Sequence, residues 1–239
     1  MTDRNKQIFS TTLRDSLSHK SMNPYQEEMR NLSIELLKKY CVGKIILDIG
    51  CGTGEYTFIA ANIARKVVGI DFSDGMLKEF KKRIVKRKVE NITLILSDAR
   101  QIGLKDCEFD VLYSFATLYY VNNVKSALCE MYRVLKPGGY AIFSLGNLWS
   151  INTLLCRNAS SGVVSYHISP GNMIKHIKAS GLKIINRRCF QLFPMYGGKI
   201  IGFRGEYYLT RFITMRGSFE LRLFSKKING KMLDEIISS

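Results

Sequence analysis

Apolar and polar residues along the first part of the chain form blocks of two lengths. The short blocks are nearly continuous apolar runs, typical of strands buried on both faces, and cover residues 44–50, 66–71, 92–99, 109–115 and 140–145. The longer blocks have helical composition or an apolar face at helical spacing, and cover residues 23–40, 54–64, 73–87 and 122–135. Strands that alternate with helices over short connections predict a parallel sheet covered on both faces.

Local residue choices support these boundaries. Asn23 and Pro24 are the residue types preferred at the cap and the first position of a helix. Ser73 is the predicted cap of the helix that ends near residue 87. The segment KPGG, residues 136–139, predicts a turn before the next strand.

Beyond residue 146 the alternation is weaker. A helix is predicted over residues 169–180. Two β-rich runs follow it, at residues 182–193 and 218–227. The segment between these runs, residues 194–216, is longer than a hairpin requires. Together with residues 147–165, it is a candidate cover for a bound substrate.

The composition limits the classes of protein to be considered. The chain has 239 residues, of which 46% are hydrophobic and 23% charged, as expected for one globular domain with an added segment. Its formal net charge of +16 raises the question of a nucleic-acid partner. Much of the excess lies in KEFKKRIVKRK, residues 78–88, which we interpret as the solvated face of a helix.

Cysteine usage and hydropathy predict the surroundings in which the chain works. Six cysteines are scattered without a CxxC pair or a histidine at metal-ligand spacing, which predicts no metal site, no disulfide framework and a reducing, cytoplasmic location. The first segment carries charges throughout and contains no apolar core of a signal peptide. No apolar run is long enough to span a bilayer. The sequence specifies no oligomeric state.

A glycine-rich turn follows the first predicted strand, in the stretch LDIGCGTGEYTF. Gly50, Gly52 and Gly54 let the backbone approach a ligand at the start of the next helix. Their GxGxG spacing is one residue shorter than the GxGxxG fingerprint of dinucleotide sites. Asp48 and Glu55 would also repel a pyrophosphate, so the turn favours a ligand with a cationic group.

Five ordered motifs along the chain resemble those of a known enzyme family. They are LDIGCGTG, GIDFSDGML, SDA, FDVLYSF and EMYRVLKPGGYAIFS. In this order and spacing they resemble the motifs of class I S-adenosylmethionine-dependent methyltransferases, in particular the methyltransferase type 11 branch with its ubiquinone- and menaquinone-biosynthesis-like enzymes. The resemblance covers roughly residues 40–146.

This resemblance implies an α/β fold of Rossmann-like type. The expected architecture is a doubly wound, mostly parallel seven-stranded sheet with helices on both faces and an antiparallel final strand. Residues 1–43 are then an N-terminal helical cap, and residues 44–146 the S-adenosylmethionine-binding core. Residues 147–239 complete the same domain and carry the acceptor-covering insertions 147–165 and 194–216.

The resemblance also implies roles for individual residues. The three glycines of the turn would approach the methionine and ribose parts of the cofactor, Asp48 would complement its ammonium group through water, and Asp71 would accept both ribose hydroxyls. Asp98 and the backbone of Ala99 would bind the amino edge of adenine. The other cofactor-binding residues that the resemblance implies are Tyr25, Cys51, Phe72, Met76, Ser114, Phe115 and Tyr119.

Several of these residues also have ordinary structural interpretations. Asp48 and Asp71 could cap the helices that follow them, and Asp98 could be a turn residue. Phe72 and Met76 could be core residues, as apolar side chains usually are. The sequence alone leaves both sets of roles open.

Methyl transfer needs mainly positioning, because the sulfonium of the cofactor already activates the methyl group. An acidic acceptor could require a base, and His167 is the best placed of the three histidines. Tyr119 could orient the acceptor, and structural roles for both residues stay open. The segment SFATLYY lacks the Asn- or Asp-Pro-Pro-aromatic motif with which relatives hold planar amino groups.

The sequence therefore predicts a methyltransferase that uses S-adenosyl-L-methionine to methylate an oxygen or carbon of a small molecule, leaving S-adenosyl-L-homocysteine. The aromatic and arginine residues of segment 194–216 favour an aromatic or lipid-like acceptor with an acidic group. Two alternatives stay open. One is an RNA, particularly tRNA, methyltransferase, which the charge of +16 favours, and the other is a noncatalytic, cofactor-binding partner subunit.

Overall fold

The computed structural model describes residues 24–146, 164–190 and 219–226. The helices within these residues are α1 (Pro24–Tyr40), α2 (Glu55–Ala61), α3 (Asp74–Arg87), α4 (Val124–Val134) and α5 (Pro170–Ala179). The strands are β1 (Ile45–Ile49), β2 (Lys66–Asp71), β3 (Ile92–Leu96), β4 (Phe109–Ser114), β5 (Leu135–Gly146), β6 (Leu182–Phe190) and β7 (Phe219–Lys226). A short 3₁₀ turn, Leu118–Tyr120, follows β4. The predicted alternation of strands and helices is confirmed.

The seven described strands form one sheet in the order β3-β2-β1-β4-β5-β7-β6. Neighbouring strands from β3 to β5 run parallel, and β7 pairs antiparallel with both β5 and β6. The predicted doubly wound, mostly parallel sheet with an antiparallel final strand is therefore confirmed. The strand order reverses between β1 and β4, and doubly wound sheets bind ligands at the carboxyl ends of the strands beside such a reversal.

Helices cover both faces of this sheet. Leu37 of α1 and Ala60 of α2 belong to one buried apolar cluster. Met131 of α4 and Ile177 of α5 belong to the other. Successive residues of a strand point to opposite faces, so the central strands supply side chains to both clusters and are apolar almost throughout. Because the central strands are buried on both faces, their positions could be predicted from the apolar runs in the sequence.

The predicted turn at KPGG lies within β5 rather than before it. Phe109 of β4 pairs with Leu135, whereas the next pair in register joins Val111 to Tyr140. The extra residues of β5 form a local irregularity, and Gly138 adopts the φ of 77° that this irregularity requires. The strand therefore begins earlier than predicted, and its pairing with β4 continues on both sides of the irregularity.

Two observed elements, β3 and α2, end three residues before their predicted ends. β3 ends at Leu96, and the hydroxyl of the next residue, Ser97, donates to the carbonyl of Ile102 at 2.9 Å within the following turn. α2 ends at Ala61, three residues before the predicted end. In both places the predicted segment includes residues of the following loop.

Part of the prediction falls on segments that the structure does not describe. Residues 147–163 and 191–218, which hold nearly all of the two acceptor-covering insertions, lie outside the described residues, as do residues 1–23 of the N-terminal cap. Within the three described ranges, no helix has the length and apolar character needed to cross a membrane. Within the same ranges, no cluster of three or more His, Cys, Asp or Glu side chains could hold a metal ion.

Candidate active site

A cleft opens at the carboxyl ends of β1 and β2, with about 300 Å³ of space that includes open solvent at its mouth, and we call it the main cleft. The ends of these strands and the segments after β3 and β4 line it. Its lining residues are Ile49, Gly50, Ile70, Asp71, Phe72, Ser97, Asp98, Ala99, Thr117 and Val121. Five residues predicted from the sequence therefore meet in one place: Gly50, Asp71, Phe72, Asp98 and Ala99.

The glycine turn between β1 and α2 forms the wall beside β1. Gly50, Gly52 and Gly54 have φ angles of 77°, 53° and 89°, a region that favours glycine. A Cβ on Gly50 would lie 2.2 Å from Thr117, and one on Gly54 would lie 2.1 Å from the ring of Phe80. A Cβ on Gly52 would meet no atom within 4 Å. Packing inside the protein requires the two outer glycines, whereas the middle one borders open space.

Asp71 ends β2 and is almost fully buried. Its Oδ2 accepts a hydrogen bond from the N–H of Gly52 at 2.9 Å, and its Oδ1 accepts one from the N–H of Ser73 at 2.9 Å. Burial raises the pKa of Asp71, and these backbone N–H groups oppose the rise. Each carboxylate oxygen has more than one acceptor position, so the side chain holds the glycine turn and keeps acceptor capacity toward the main cleft.

Asp48 lies beneath the glycine turn and is also buried. Its Oδ2 accepts a hydrogen bond from the hydroxyl of Thr57 at 2.6 Å, which joins β1 to α2. Burial raises the pKa of Asp48 to about 7. A nearby cation would lower this pKa again, because it stabilises the carboxylate. The contact with Thr57 gives Asp48 a structural role, and its action on an ammonium group stays a prediction.

Asp98 forms a bidentate ion pair with Arg100 at the edge of the main cleft. Nε and Nη2 of Arg100 donate to the two carboxylate oxygens at 3.0 and 2.7 Å. Burial alone would raise the pKa of Asp98, but the hydrogen bonds from Arg100 lower it to about 2. Nη1 of Arg100 also donates to Oδ1 of Asn122 at 2.7 Å. Asp98 is therefore a fixed anion next to Ala99.

Ser114 and Phe115, expected to lie beneath the reacting groups, contact the protein interior. The hydroxyl of Ser114 donates to the carbonyl of Ile49 at 2.9 Å, which joins β4 to β1. The ring of Phe115 stacks on Tyr113 with centroids 5.2 Å apart. After β4, the main cleft is lined by Thr117 instead. The roles of Ser114 and Phe115 toward a cofactor stay predictions.

Cys51 and Met76 are buried on the side of the turn that faces α3. Cys51 packs in an apolar cluster with Phe80, and burial raises the pKa of its thiol well above the usual value. The thiol is therefore protonated at neutral pH. The backbone N–H of Met76 donates to the hydroxyl of Ser73 at 3.3 Å. Tyr25 is the second residue of α1, and its side chain lies outside the described ones.

The two predicted catalytic residues lie beside each other. Tyr119 belongs to the 3₁₀ turn, and its carbonyl accepts a hydrogen bond from the backbone N–H of Tyr166 at 2.6 Å. This bond brings His167 to Tyr119, with the two rings nearly parallel at 5° and their centroids 6.1 Å apart. Burial lowers the pKa of His167. No residue within the described ranges forms a hydrogen bond with its buried Nδ1.

Sequence reasoning missed Thr117 and Arg100. Thr117 closes the gap against Gly50, and its hydroxyl donates to the carbonyl of Phe115 at 3.0 Å. The position of an arginine two residues after Asp98 was a local signal for the ion pair. The contact between Thr117 and the glycine turn joins residues far apart in the chain, so only the fold shows it.

Part of the chain is similar to known methyltransferases. Residues 47–143 match the family described as Methyltransferase domain. A demethylmenaquinone methyltransferase of Symbiobacterium thermophilum is 40% identical over 101 residues, 41% of this chain and 40% of that protein. A malonyl-[acyl-carrier protein] O-methyltransferase of Serratia marcescens is 30% identical over 116 residues, 45% of this chain and 44% of that protein. The chain thus spans less than half the length of these relatives.

Solved structures support the same fold over a larger part of the chain. The N-methyltransferase NodS of Bradyrhizobium japonicum WM9, in complex with S-adenosyl-L-homocysteine, matches with a TM-score of 0.68 and 18% identity. The match covers 94% of this chain and 99% of NodS. At this level of identity, the likeness shows the fold alone.

Proposed function

We propose that this chain, whose residues 47–143 match the family described as Methyltransferase domain, methylates an oxygen or carbon of a small-molecule acceptor with S-adenosyl-L-methionine. The resemblance to class I S-adenosylmethionine-dependent methyltransferases is confirmed by the family match and by the fold. The acceptor and the atom that is methylated are the new part of the proposal. The cytoplasmic location stays a prediction.

The observation that carries the proposal is the main cleft itself. Gly50, the buried carboxylate of Asp71, Asp98 and Ala99 line it. Gly52, whose N–H donates to Asp71, has no atom within 4 Å of the position of a Cβ. The glycine turn would leave room for the amino-acid part of S-adenosyl-L-methionine, and the carboxylate of Asp71 would accept hydrogen bonds from the ribose hydroxyls. The segment at Asp98 and Ala99 would contact the adenine base. The residues present therefore fit this cofactor.

The chemical demands on the protein are modest. When bound, S-adenosyl-L-methionine supplies a methyl group made electrophilic by its positively charged sulfur. The chain would contribute orientation, which lowers the entropy cost of bringing the acceptor to the methyl group. Asp71 would fix the ribose, and the glycine turn would fix the amino-acid end.

His167 would serve as the base for an acceptor that loses a proton. Burial lowers its pKa, so the imidazole is neutral at pH 7 and can take up a proton. Its Nδ1 has no hydrogen-bond partner in the described part of the chain, and the ring of Tyr119 lies alongside. A neutral imidazole next to an aromatic wall suits an enol or phenol acceptor.

The relatives support an acceptor outside nucleic acids. Two of them are named for demethylmenaquinone and for malonyl-[acyl-carrier protein]. The segment after β4 also lacks the Pro-Pro motif associated with exocyclic amines, since it reads SFATLYY. Both observations favour an oxygen or carbon as the methylated atom.

Cofactor binding and acceptor class can be tested in sequence. Isothermal titration should show binding of S-adenosyl-L-methionine and S-adenosyl-L-homocysteine, and the absence of both would overturn the proposal. Cell extract is then incubated with the protein and tritium-labelled cofactor. Label that enters an organic solvent and survives nuclease and protease supports a small-molecule acceptor, whereas nuclease-sensitive label would contradict it.

RNA is a second candidate acceptor, because the net charge is +16. Binding to phosphates weakens steeply as salt rises. Binding of unmodified tRNA with a steep salt dependence, together with tritium transfer to it, would favour this candidate. Absence of tRNA binding at low salt would remove it.

A further inference from the structure

A second cleft lies on the outer surface where α1, α2 and α3 meet, and it shares no lining residue with the main cleft. It has about 890 Å³ of free space and opens to solvent. Its lining residues are Arg30, Glu55, Phe58, Ile59, Asn62, Arg83 and Arg87. We call it the basic cleft, because three arginines face a single carboxylate there.

The ring of Phe58 orients two of the three arginines. The guanidinium of Arg87 lies 4.2 Å from the ring centroid, and that of Arg83 lies 5.6 Å from it. Nη1 of Arg83 also donates to the carbonyl of Thr53 at 2.6 Å. A guanidinium has five N–H donors, so this bond leaves most of the donors of Arg83 available. Planar groups held on a ring lose less freedom when a ligand binds.

The positive charge of the basic cleft is only partly neutralised. Nε of Arg30 pairs with Glu55 at 3.0 Å. Among the described residues, no carboxylate forms an ion pair with Arg83 or Arg87. The two acidic side chains of α3 already pair with lysines of the same helix. The cleft therefore has a net charge of about +2 at pH 7, because arginine stays protonated.

We propose that the basic cleft binds phosphate groups of a ligand or partner. Fork-shaped guanidinium groups form bidentate hydrogen bonds with phosphate oxygens, and two unneutralised charges match a phosphate dianion. The exposed Asn62 also lines the cleft, and its side-chain amide adds a neutral donor. The aromatic ring is covered by the arginines, so the recognition is of phosphate and not of a stacked base.

This site is independent of the methyl-transfer proposal. Binding in the basic cleft requires no cofactor and no acceptor in the main cleft. The exposed lysines of α3 would raise the local concentration of anions, while the arginines would supply the fixed contacts. The site thus predicts a difference between residues that line the cleft and residues that only add charge.

A comparison of two double variants tests this difference. Arg30→Gln with Arg87→Gln removes two charges from the cleft and leaves the bond between Arg83 and Thr53 intact. Lys81→Gln with Lys86→Gln removes two charges from exposed positions of the same helix outside the cleft. Pyrophosphate binding, measured by isothermal titration at 50 mM salt, should weaken about tenfold or more in the first variant and less than twofold in the second.

Three results would overturn the proposal. The first is that the unmodified chain binds neither pyrophosphate, inorganic phosphate nor RNA. The second is an equal loss of affinity in both double variants. The third is an unchanged affinity in Arg30→Gln with Arg87→Gln. Folding is checked by thermal melting and by far-UV circular dichroism, and a first variant that fails either check is replaced by Arg87→Lys. That variant keeps the positive charge but loses the planar guanidinium that forms bidentate hydrogen bonds. It should therefore bind pyrophosphate several-fold more weakly than the unmodified chain.

The source of the phosphate is tested with a second probe. A single-stranded RNA of twelve nucleotides is titrated at 50 and 200 mM salt. If the affinity for RNA falls steeply as the salt concentration rises and is lost in Arg30→Gln with Arg87→Gln, a nucleic-acid backbone is the source of the phosphate. Binding of inorganic phosphate or pyrophosphate alone identifies a small phosphorylated ligand. Either result supports a phosphate site in the basic cleft.

Discussion

Single residues of the main cleft combine structural and binding tasks. Asp71 accepts hydrogen bonds from Gly52 and Ser73 and thereby holds the glycine turn against β2. The same carboxylate is the predicted acceptor of the ribose hydroxyls. Any substitution of Asp71 therefore changes the shape of the turn and the contacts to the cofactor together.

Asp71→Ala is expected to weaken binding of S-adenosyl-L-homocysteine by at least tenfold. It would remove one or two charge-assisted hydrogen bonds, each contributing about 1.5 to 3 kcal/mol. Asp71→Asn keeps one acceptor oxygen and should give an intermediate affinity. Isothermal titration of the three proteins measures the order, and an unchanged affinity in the alanine variant would disprove the ribose assignment.

Substitutions of two glycines of the turn should have different effects, one mainly on protein stability and the other mainly on cofactor affinity. Gly54→Ala places a Cβ 2.1 Å from the ring of Phe80, so it should lower the melting temperature strongly. Gly52→Ala meets no protein atom and carries mainly the cost of its left-handed backbone, about 1 to 2 kcal/mol. It should lower cofactor affinity more than Gly54→Ala does. A larger fall in melting temperature for Gly52→Ala, together with a larger loss of cofactor affinity for Gly54→Ala, would contradict these roles.

His167 should control the acid side of the pH profile. Because burial lowers its pKa, the rate should be constant above pH 7 and fall in acid as the imidazole takes up a proton. His167→Asn should reduce the rate and remove the acid limb. Tyr119→Phe, which keeps the neighbouring ring, should retain the limb. An acid limb that persists in His167→Asn would exclude His167 as the base.

The sequence predicted those site residues whose chemistry is local. The spacing of the glycines and an acidic residue at the end of a strand can be identified from the sequence alone, so Gly50 and Asp71 were predicted. Thr117 was not, because its importance arises from contact with a glycine 67 residues away. Arg100 was missed because Asp98 was considered alone, and its partner two residues later neutralises it.

At the scale of elements, capping residues place the helices behind the site. The hydroxyl of Ser73 accepts a hydrogen bond from Met76 N–H at the start of α3, and Asn123 accepts one from Ser126 N–H at the start of α4. The cap at Ser73 and the apolar runs of the strands were predicted from the sequence, whereas the cap at Asn123 was not, since the predicted helix began at residue 122. The irregularity within β5 was not, because its pairing with β4 depends on register across the sheet.

Ser73→Ala should destabilise the protein by about 1 kcal/mol, since it removes the cap of α3. For a domain of this size, the melting temperature should fall by about 2 to 4 °C. Asn123→Ala removes the cap of α4 on the other face of the sheet and is the matched comparison, with a similar loss expected. Scanning calorimetry measures both, and an unchanged melting temperature in both would show that neither cap contributes.

At the scale of the whole molecule, stability should depend on the proton bound to Asp48. Burial raises its pKa from 3.8 to about 7. Between these values the folded state keeps the proton and the unfolded state has lost it. The free energy of unfolding should therefore decrease as pH rises through this window and level off above pH 7. The raised pKa of Asp71 acts in the same direction, whereas the lowered pKa of Asp98 acts only in strong acid.

Asp48→Asn isolates this contribution, because an amide does not titrate and its oxygen can still accept the hydrogen bond from Thr57. The shift corresponds to a change on the order of 4 kcal/mol across the window, a large share of the stability of a typical domain. Urea unfolding at pH 5, 6, 7 and 8 measures the slope in both proteins. The unmodified chain should lose stability between pH 5 and 7 relative to the variant. Parallel curves would mean that Asp48 is ionised in the folded state at every pH tested, and that the interior around it stabilises the charge.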